Sequence, residues 1–174
     1  MAWITKNSAT ELIERTDTPY LDEQLKQQLE QDVVARYPTR QAATLPVLHA
    51  MQHRIGWLPP QAIEEIADFL ELEASTVLDT ATFYEEFWLE PKGKYVFWIC
   101  QSLSCEIMGE KSLTQTLKEK LGINVGETTP DGKFTLMKVE CLGSCGTAPC
   151  ALVNEVLHEN LDVNDLDRIL VELE

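Results

Sequence analysis

The residues whose type and spacing can do chemistry are five cysteines, all in the second half of the chain. In a reducing compartment, clustered cysteines more often bind metal or carry out redox chemistry than form structural disulfides. Four of them form two pairs, the first with four intervening residues and the second with three. The pairs are Cys100 with Cys105 and Cys141 with Cys145, and Cys150 stands alone.

The spacing of the pairs excludes several kinds of cysteine site. No two cysteines have the C-x-x-C spacing of a thioredoxin-type dithiol. A plant-type ferredoxin needs a cysteine three residues after Cys105, where this chain has Met108. A Rieske centre needs histidine ligands beside its cysteines, and no histidine lies there. Structural zinc stays open, although this combination of spacings is not typical of it.

The two pairs favour a [2Fe–2S] cluster, which takes four soft thiolate ligands. Gly143, Gly146 and Ala148 leave backbone amides free to approach the sulfurs, and the hydroxyls of Ser102 and Ser104 are candidate donors on the other side. Buried thiols that only pack are the alternative without chemistry.

Cys150 follows Pro149 and is interpreted as a small apolar residue rather than a fifth ligand.

The elements that must position the cysteines change type near Pro91. Residues 1–20 are polar and indicate an N-terminal extension, whereas apolar residues recur at helical spacing over 21–90. This second segment is predicted to be a helical bundle. Its helices are expected over residues 21–37, from about 40 to 55 with a stop at Gly56, from Pro59-Pro60 onward, and in a short segment capped by Ser75.

Residues 91–174 are predicted to form a compact α/β unit. The β-branched and aromatic run Tyr95–Ile99 indicates a strand that leads into Cys100, and residues 134–139 indicate a strand that leads into Cys141. Both cysteine pairs therefore lie just past strand ends. The remaining elements are a helix over 109–121, short strands at 151–153 and 156–157, and a last helix opened by Asn160 or Asp162.

Charge and hydropathy restrict the partners. The chain has 14 basic and 29 acidic side chains, a formal charge of −15, so nucleic acids and anionic lipid surfaces would repel it. Its longest apolar run, Tyr95–Cys100, is far shorter than the roughly 20 residues of a membrane helix. Because the first residues also lack the pattern of a signal peptide, we expect a cytoplasmic protein without direct membrane insertion.

Six short segments, taken in order, carry a resemblance to a known family. They are Gly56–Pro59 (GWLP), Ala81–Tyr84 (ATFY), Cys100–Cys105 (CQSLSC), Thr129–Phe134 (TPDGKF), Glu140–Cys145 (ECLGSC) and Ala148-Pro149. Together they resemble the thioredoxin-like [2Fe–2S] ferredoxin subunit of respiratory NADH:quinone oxidoreductase (complex I), over about residues 24–173. The N-terminal twenty residues fall outside the resemblance.

The resemblance implies an α+β chain in which a helical bundle precedes a thioredoxin-like domain that holds one [2Fe–2S] cluster. It implies Cys100, Cys105, Cys141 and Cys145 as the ligands. The implied partner is the flavin- and NADH-binding subunit of the same complex, which carries FMN and NADH, with further subunits on the cytoplasmic side of the inner membrane. The chain would accept one electron from the reduced flavin and would have no substrate site of its own. It also shows no G-x-G-x-x-G fingerprint.

Two alternatives to this function stay open. The same motifs occur in the diaphorase subunits of NAD-linked hydrogenases and formate dehydrogenases. In a different class, a zinc-stapled adaptor would bind partners without redox chemistry, and it would be colourless where an iron–sulfur protein is red-brown.

Overall fold

The structure is a computed structural model and describes residues 15–173. The chain divides into two compact units between Pro91 and Lys92. Among the described residues, the first unit is helical, and the second combines helices with a four-stranded sheet. The predicted fold class, α+β with the helices first, is confirmed. Of the predicted N-terminal extension, residues 1–14 lie outside the described residues.

The first unit has four α-helices and two 3₁₀ turns within its described part. They are α1 (Glu23–Asp32), α2 (Thr44–Ile55), α3 (Pro60–Leu70), α4 (Ala74–Phe83) and the turns Val34–Arg36 and Gln41–Ala43. The prediction of one helix over residues 21–37 was wrong in length. The Asp22 side chain caps α1 by accepting from the Leu25 N–H, so the helix cannot start earlier. It ends before the β-branched Val33 and Val34, and the 3₁₀ turn that follows buries Val34.

The other helix boundaries follow proline and glycine chemistry. Pro46 lies in the first turn of α2, where its missing N–H removes no helical bond, and Gly56 ends that helix at a φ of 86°. Pro60 opens α3 as predicted. The predicted cap at Ser75 was wrong, because the carbonyl of Glu73 already accepts from the N–H groups of Thr76 and Val77.

The core of the first unit lies between α2, α3 and α4, and a buried glutamine fixes the segment that follows them. The Gln52 side chain donates to the Glu86 carbonyl at 2.7 Å and accepts from the Trp88 N–H at 2.8 Å. Both ends of one amide are therefore satisfied by a single stretch of backbone. Large residues with 0% exposure in this core include Val47, Leu48, Met51, Leu58, Ile66 and Leu70.

The second unit is built on a sheet with the strand order β2-β1-β3-β4. β1 and β2 are parallel, which requires a crossover connection, and the other two pairings are antiparallel. The elements are β1 (Tyr95–Cys100), α5 (Leu103–Ile107), α6 (Glu110–Leu121), β2 (Phe134–Val139), a 3₁₀ turn (Cys145–Thr147), β3 (Ala151–Val153), β4 (Val156–His158) and α7 (Val163–Glu172).

Most elements of the second unit match the prediction, the structure decides between two predicted starts of the last helix, and one short helix is new. α7 begins after Asp162 rather than Asn160, because the side chains of Asp162 and Asp165 form a capping box. α5 was not predicted, since its five residues are too few to show a period. No helix among residues 15–173 combines the length and apolarity needed to cross a bilayer. The buried core includes Phe97, Ile99, Leu113, Leu117, Leu136, Leu166 and Ile169.

Gly93 marks a close approach between the chain before β1 and the start of β2. A Cβ at this position would lie 2.8 Å from the carbonyl carbon of Phe134, and the Gly93 N–H donates to Thr135 Oγ1 at 2.6 Å. We expect Gly93→Ala to lower the free energy of unfolding by about 1–3 kcal/mol, as overpacking does. Gly146→Ala is the control, because a Cβ there meets no atom within 4 Å. Equal urea midpoints for the two variants would contradict this prediction.

Candidate metal centre

The pairing of three strands brings the cysteines to one edge of the sheet. β1 and β2 are parallel with Cys100 opposite Val139, and Cys141 follows β2 by two residues. Because parallel strands end at the same edge, the first residues after β1 and β2 lie side by side. β3 runs the other way, and the Cys100 N–H donates to the Cys150 carbonyl at 3.2 Å. The start of β3 therefore meets the end of β1.

Three thiols form a buried group at this edge. The Sγ atoms of Cys100, Cys105 and Cys150 all lie within 4.8 Å of one another, and each residue is 1% exposed. The Sγ atoms of Cys105 and Cys150 are 3.8 Å apart. Ala148 and Leu142 pack against the group. The structure thus places Cys150, predicted as a small apolar residue, in contact with two predicted ligands.

The second cysteine pair is exposed and lies on a glycine-containing loop. The Sγ atoms of Cys141 and Cys145 are 3.9 Å apart. The Gly143 N–H points at Cys141 Sγ over 3.3 Å, as expected for an amide that approaches a ligand sulfur. Gly143 has a φ of 79°, a conformation that favours glycine. The loop is therefore shaped to present both thiols and a backbone donor together.

The sulfur separations fit metal binding. Two thiolates on one tetrahedral metal, each at about 2.3 Å from it, lie about 3.8 Å apart. The Cys141–Cys145 and Cys105–Cys150 separations, 3.9 Å and 3.8 Å, both match this value. Among residues 15–173, no other group of three or more histidine, cysteine or carboxylate ligands lies as close together as the three buried thiols. The donor set is soft and suits iron–sulfur chemistry.

The buried thiols differ in how readily they ionise. Burial tends to raise the pKa of Cys100, but N–H groups of the Ser102 and Leu142 backbones stabilise its thiolate, and its pKa is lowered overall. Burial raises the pKa of Cys105, and it raises the pKa of Cys150 to about 12. The stabilising donor at Ser102 is thus the backbone N–H rather than the hydroxyl that the sequence indicated. Of the three buried thiols, Cys100 is the best prepared to bind metal as a thiolate.

A carboxylate outside the cysteine motifs holds the exposed loop. Glu159 accepts hydrogen bonds from the hydroxyls of Ser144 and Thr147, which flank Cys145, and these bonds lower its pKa. The Asn160 N–H donates to the Thr147 carbonyl at 2.7 Å. Sequence reasoning did not single out Glu159, because it lies twelve or more residues from the loop that it binds.

A buried ion pair joins α6 to β2 near the end of that strand. Glu110, at the start of α6, is 1% exposed and pairs with Lys138 of β2 at 2.8 Å. Thr114 donates a further hydrogen bond to the same carboxylate. A buried charge is tolerated only when it is paired and hydrogen-bonded, as Glu110 is. The pair ties α6 to the strand that leads into Cys141, and no feature of the sequence marked it.

Comparison with known proteins identifies the family. The sequence profile of a family described as "Thioredoxin-like [2Fe-2S] ferredoxin" matches residues 30–174. The chain belongs to this family. The resemblance found in the sequence is therefore confirmed, and a [2Fe–2S] cluster is the cofactor of a thioredoxin-like ferredoxin of this kind.

Named relatives of this thioredoxin-like ferredoxin include subunits of one enzyme. This chain is 45% identical over 136 residues to a NADH-quinone oxidoreductase subunit of Rhizobium meliloti, covering 78% of this chain and 81% of the relative. It is 44% identical over 132 residues to NADH-quinone oxidoreductase subunit 2 of Thermus thermophilus, covering 75% and 73%. Both relatives are matched over most of their length.

A solved structure shares the fold of this thioredoxin-like ferredoxin. The NAD⁺-reducing [NiFe]-hydrogenase in the air-oxidized state aligns with a TM-score of 0.65 and 24% identity. The alignment covers 73% of this chain and 22% of the hydrogenase chain. At this identity the likeness shows the fold alone.

We expect Glu159→Ala to loosen the Cys145 loop and speed the loss of bound iron to a chelator. Removing outer-shell partners of a metal site typically costs 10–100-fold in affinity, so we expect an effect of about ten-fold in rate. The measurement is the decay of visible absorbance in excess EDTA. Glu172→Ala, an exposed carboxylate at the end of α7, is the control. Equal decay rates in the two variants would show that Glu159 does not hold the site.

Proposed function

We propose that this ferredoxin is the [2Fe–2S] electron-transfer subunit of a respiratory NADH:quinone oxidoreductase. In this role it takes one electron from the reduced flavin of a partner subunit. The observation that carries the proposal is the gathering of two cysteine pairs at one sheet edge, with the Cys141 and Cys145 sulfurs 3.9 Å apart and the Cys100 and Cys105 sulfurs within 4.8 Å of each other. The relatives named as NADH-quinone oxidoreductase subunits favour this complex over a hydrogenase or formate dehydrogenase.

The proposed ligands are Cys100 and Cys105 from the β1 side and Cys141 and Cys145 from the β2 side. When bound, a [2Fe–2S] cluster supplies one-electron redox chemistry. The thiols must lose their protons to bind, and backbone N–H groups already stabilise the thiolate of Cys100. The Gly143 N–H contacts Cys141 Sγ in the same way. Such donors favour added negative charge and therefore raise the reduction potential.

The surface beside Cys105 is suited to docking of the flavin-binding subunit. Leu103, Ile107 and Met108, which we call the α5 patch, are 71%, 73% and 60% exposed. Large apolar side chains exposed together mark an interaction surface. Because Cys105 lies in the same short helix, docking through the α5 patch would bring the ligand segment against the partner.

The two halves of the chain have different roles in the proposed complex. The helical bundle, residues 21–90, adds docking surface, and the ferredoxin domain, residues 91–174, holds the cluster. FMN and NADH bind to the partner subunit, in keeping with the missing dinucleotide fingerprint. With a charge of −15, the chain reaches the cytoplasmic side of the inner membrane through further subunits rather than through lipid.

Electron paramagnetic resonance of the anaerobically purified chain tests the cluster. We expect a silent oxidised sample that gains one spin per chain on reduction with dithionite, because a [2Fe–2S] cluster accepts a single electron. Iron and acid-labile sulfide are measured in the same sample and should be equal. A colourless chain with bound zinc would overturn electron transfer and favour the partner-binding adaptor.

A charge placed in the α5 patch tests the docking surface. We expect Ile107→Glu to weaken binding of the purified flavin subunit by about ten-fold or more, the effect of losing an apolar anchor at an interface. Val171→Glu is the matched control, since Val171 is 68% exposed on α7. Both variants should keep the visible spectrum of the wild type. Wild-type affinity for Ile107→Glu would exclude the α5 patch from the interface.

A further inference from the structure

We propose that Cys150 is a reserve ligand of the metal centre, able to take the place of Cys105 on the metal. The inference rests on the proposed function, because it presumes a cluster at this edge of the sheet. It assigns a binding role to the one cysteine outside the paired motifs.

The first support is distance. Cys150 Sγ lies 3.8 Å from Cys105 Sγ, as close as the 3.9 Å between the two thiols of the exposed pair. It also lies within 4.8 Å of Cys100 Sγ, the thiol with which a substitute for Cys105 would have to share an iron. A substitute ligand therefore needs to shift by no more than the separation that already exists between the two sulfurs.

The second support is the backbone that carries each thiol. Cys150 directly precedes β3, and its carbonyl accepts from the Cys100 N–H at 3.2 Å, so the central strand holds the residue in place. Cys105 instead lies in α5, a helix of five residues whose neighbours Leu103 and Ile107 are largely exposed. The reserve thiol is thus held more firmly than the thiol that it would replace.

Replacing Cys105 by Cys150 as the ligand needs no reactant other than water. In a chain that lacks the Cys105 thiol, an iron–sulfur bond to Cys150 forms where the bond to Cys105 would have been. The Cys150 thiol gives up its proton to water, and no electrons are transferred. The ligand count stays at four thiolates.

The same reasoning predicts that the two cysteine pairs respond differently to substitution. The group of three sulfurs within 4.8 Å includes neither Cys141 nor Cys145. A variant that lacks Cys105 still has the Cys150 thiol within 4.8 Å of Cys100 to complete the ligand set. A variant that lacks Cys141 has no spare thiol in a comparable group with Cys145. A cysteine that merely filled space would produce no such asymmetry.

The test compares four variants of the full chain, each purified anaerobically and reconstituted with iron and sulfide: Cys105→Ala, Cys141→Ala, Cys150→Ala and the double variant Cys105→Ala/Cys150→Ala. Iron and sulfide per chain and the spectrum of the reduced sample are measured. We expect Cys105→Ala to keep most of the wild-type iron with shifted g values, and Cys150→Ala to match the wild type. We expect Cys141→Ala and the double variant to lose the cluster.

The outcomes separate this inference from the proposed function. If the wild type holds its iron but Cys105→Ala contains as little iron as Cys141→Ala, the reserve-ligand proposal alone is overturned. A double variant that keeps its cluster would also overturn it. A wild type without iron would overturn the proposed function instead. If Cys105→Ala shows altered far-ultraviolet circular dichroism, Cys105→Ser replaces it, and loss of iron on adding Cys150→Ala then identifies Cys150 as the ligand.

Discussion

The parallel pairing of β1 with β2 is the constraint on which the metal centre depends. Only strands that run in the same direction deliver the segments after them to one edge, and here both segments begin with a cysteine motif. The antiparallel β3 then enters from that edge, so its first residues face the same space. The directions of these three strands together gather thiols that are 50 residues apart in the chain, from Cys100 to Cys150.

This arrangement divides the metal centre into a buried side and an exposed loop. The side with Cys100 and Cys105 is buried and poorly solvated, and there backbone N–H groups favour the thiolate of Cys100. The exposed side is a loop whose shape depends on Gly143 and on the Glu159 carboxylate. The Glu110–Lys138 pair links α6 to β2, the strand that leads into Cys141. Positioning therefore comes from residues that never touch the metal.

Most of the fold could be predicted from the sequence, because its signals are local. Pro60 and Gly56 mark helix ends through their own dihedral preferences, and the β-branched run before Cys100 marks a strand. Ser75 misled the prediction because a good capping residue in the first turn need not be the cap. The short helix α5 carries too little periodicity to be recognised.

The metal centre was less predictable, because part of it depends on distant contacts. The paired cysteines were visible from their spacing, but their assignment as ligands stays a prediction. The place of Cys150 beside Cys105 depends on the antiparallel register of β3, which no local pattern encodes. The same is true of Glu159 and Glu110, whose neighbours in sequence are ordinary surface residues. Long-range pairing, rather than residue type, decides which polar groups reach the site.

The unequal exposure of the two cysteine pairs has a kinetic consequence. Metal, sulfide and oxidants can reach the centre most directly over the loop that carries Cys141 and Cys145, since the thiols on the other side are enclosed. Assembly and decay of the centre therefore use the same exposed loop, which Glu159 holds through the hydroxyls of Ser144 and Thr147. The opening of one surface loop is therefore expected to limit how fast the holoprotein gains and loses its metal.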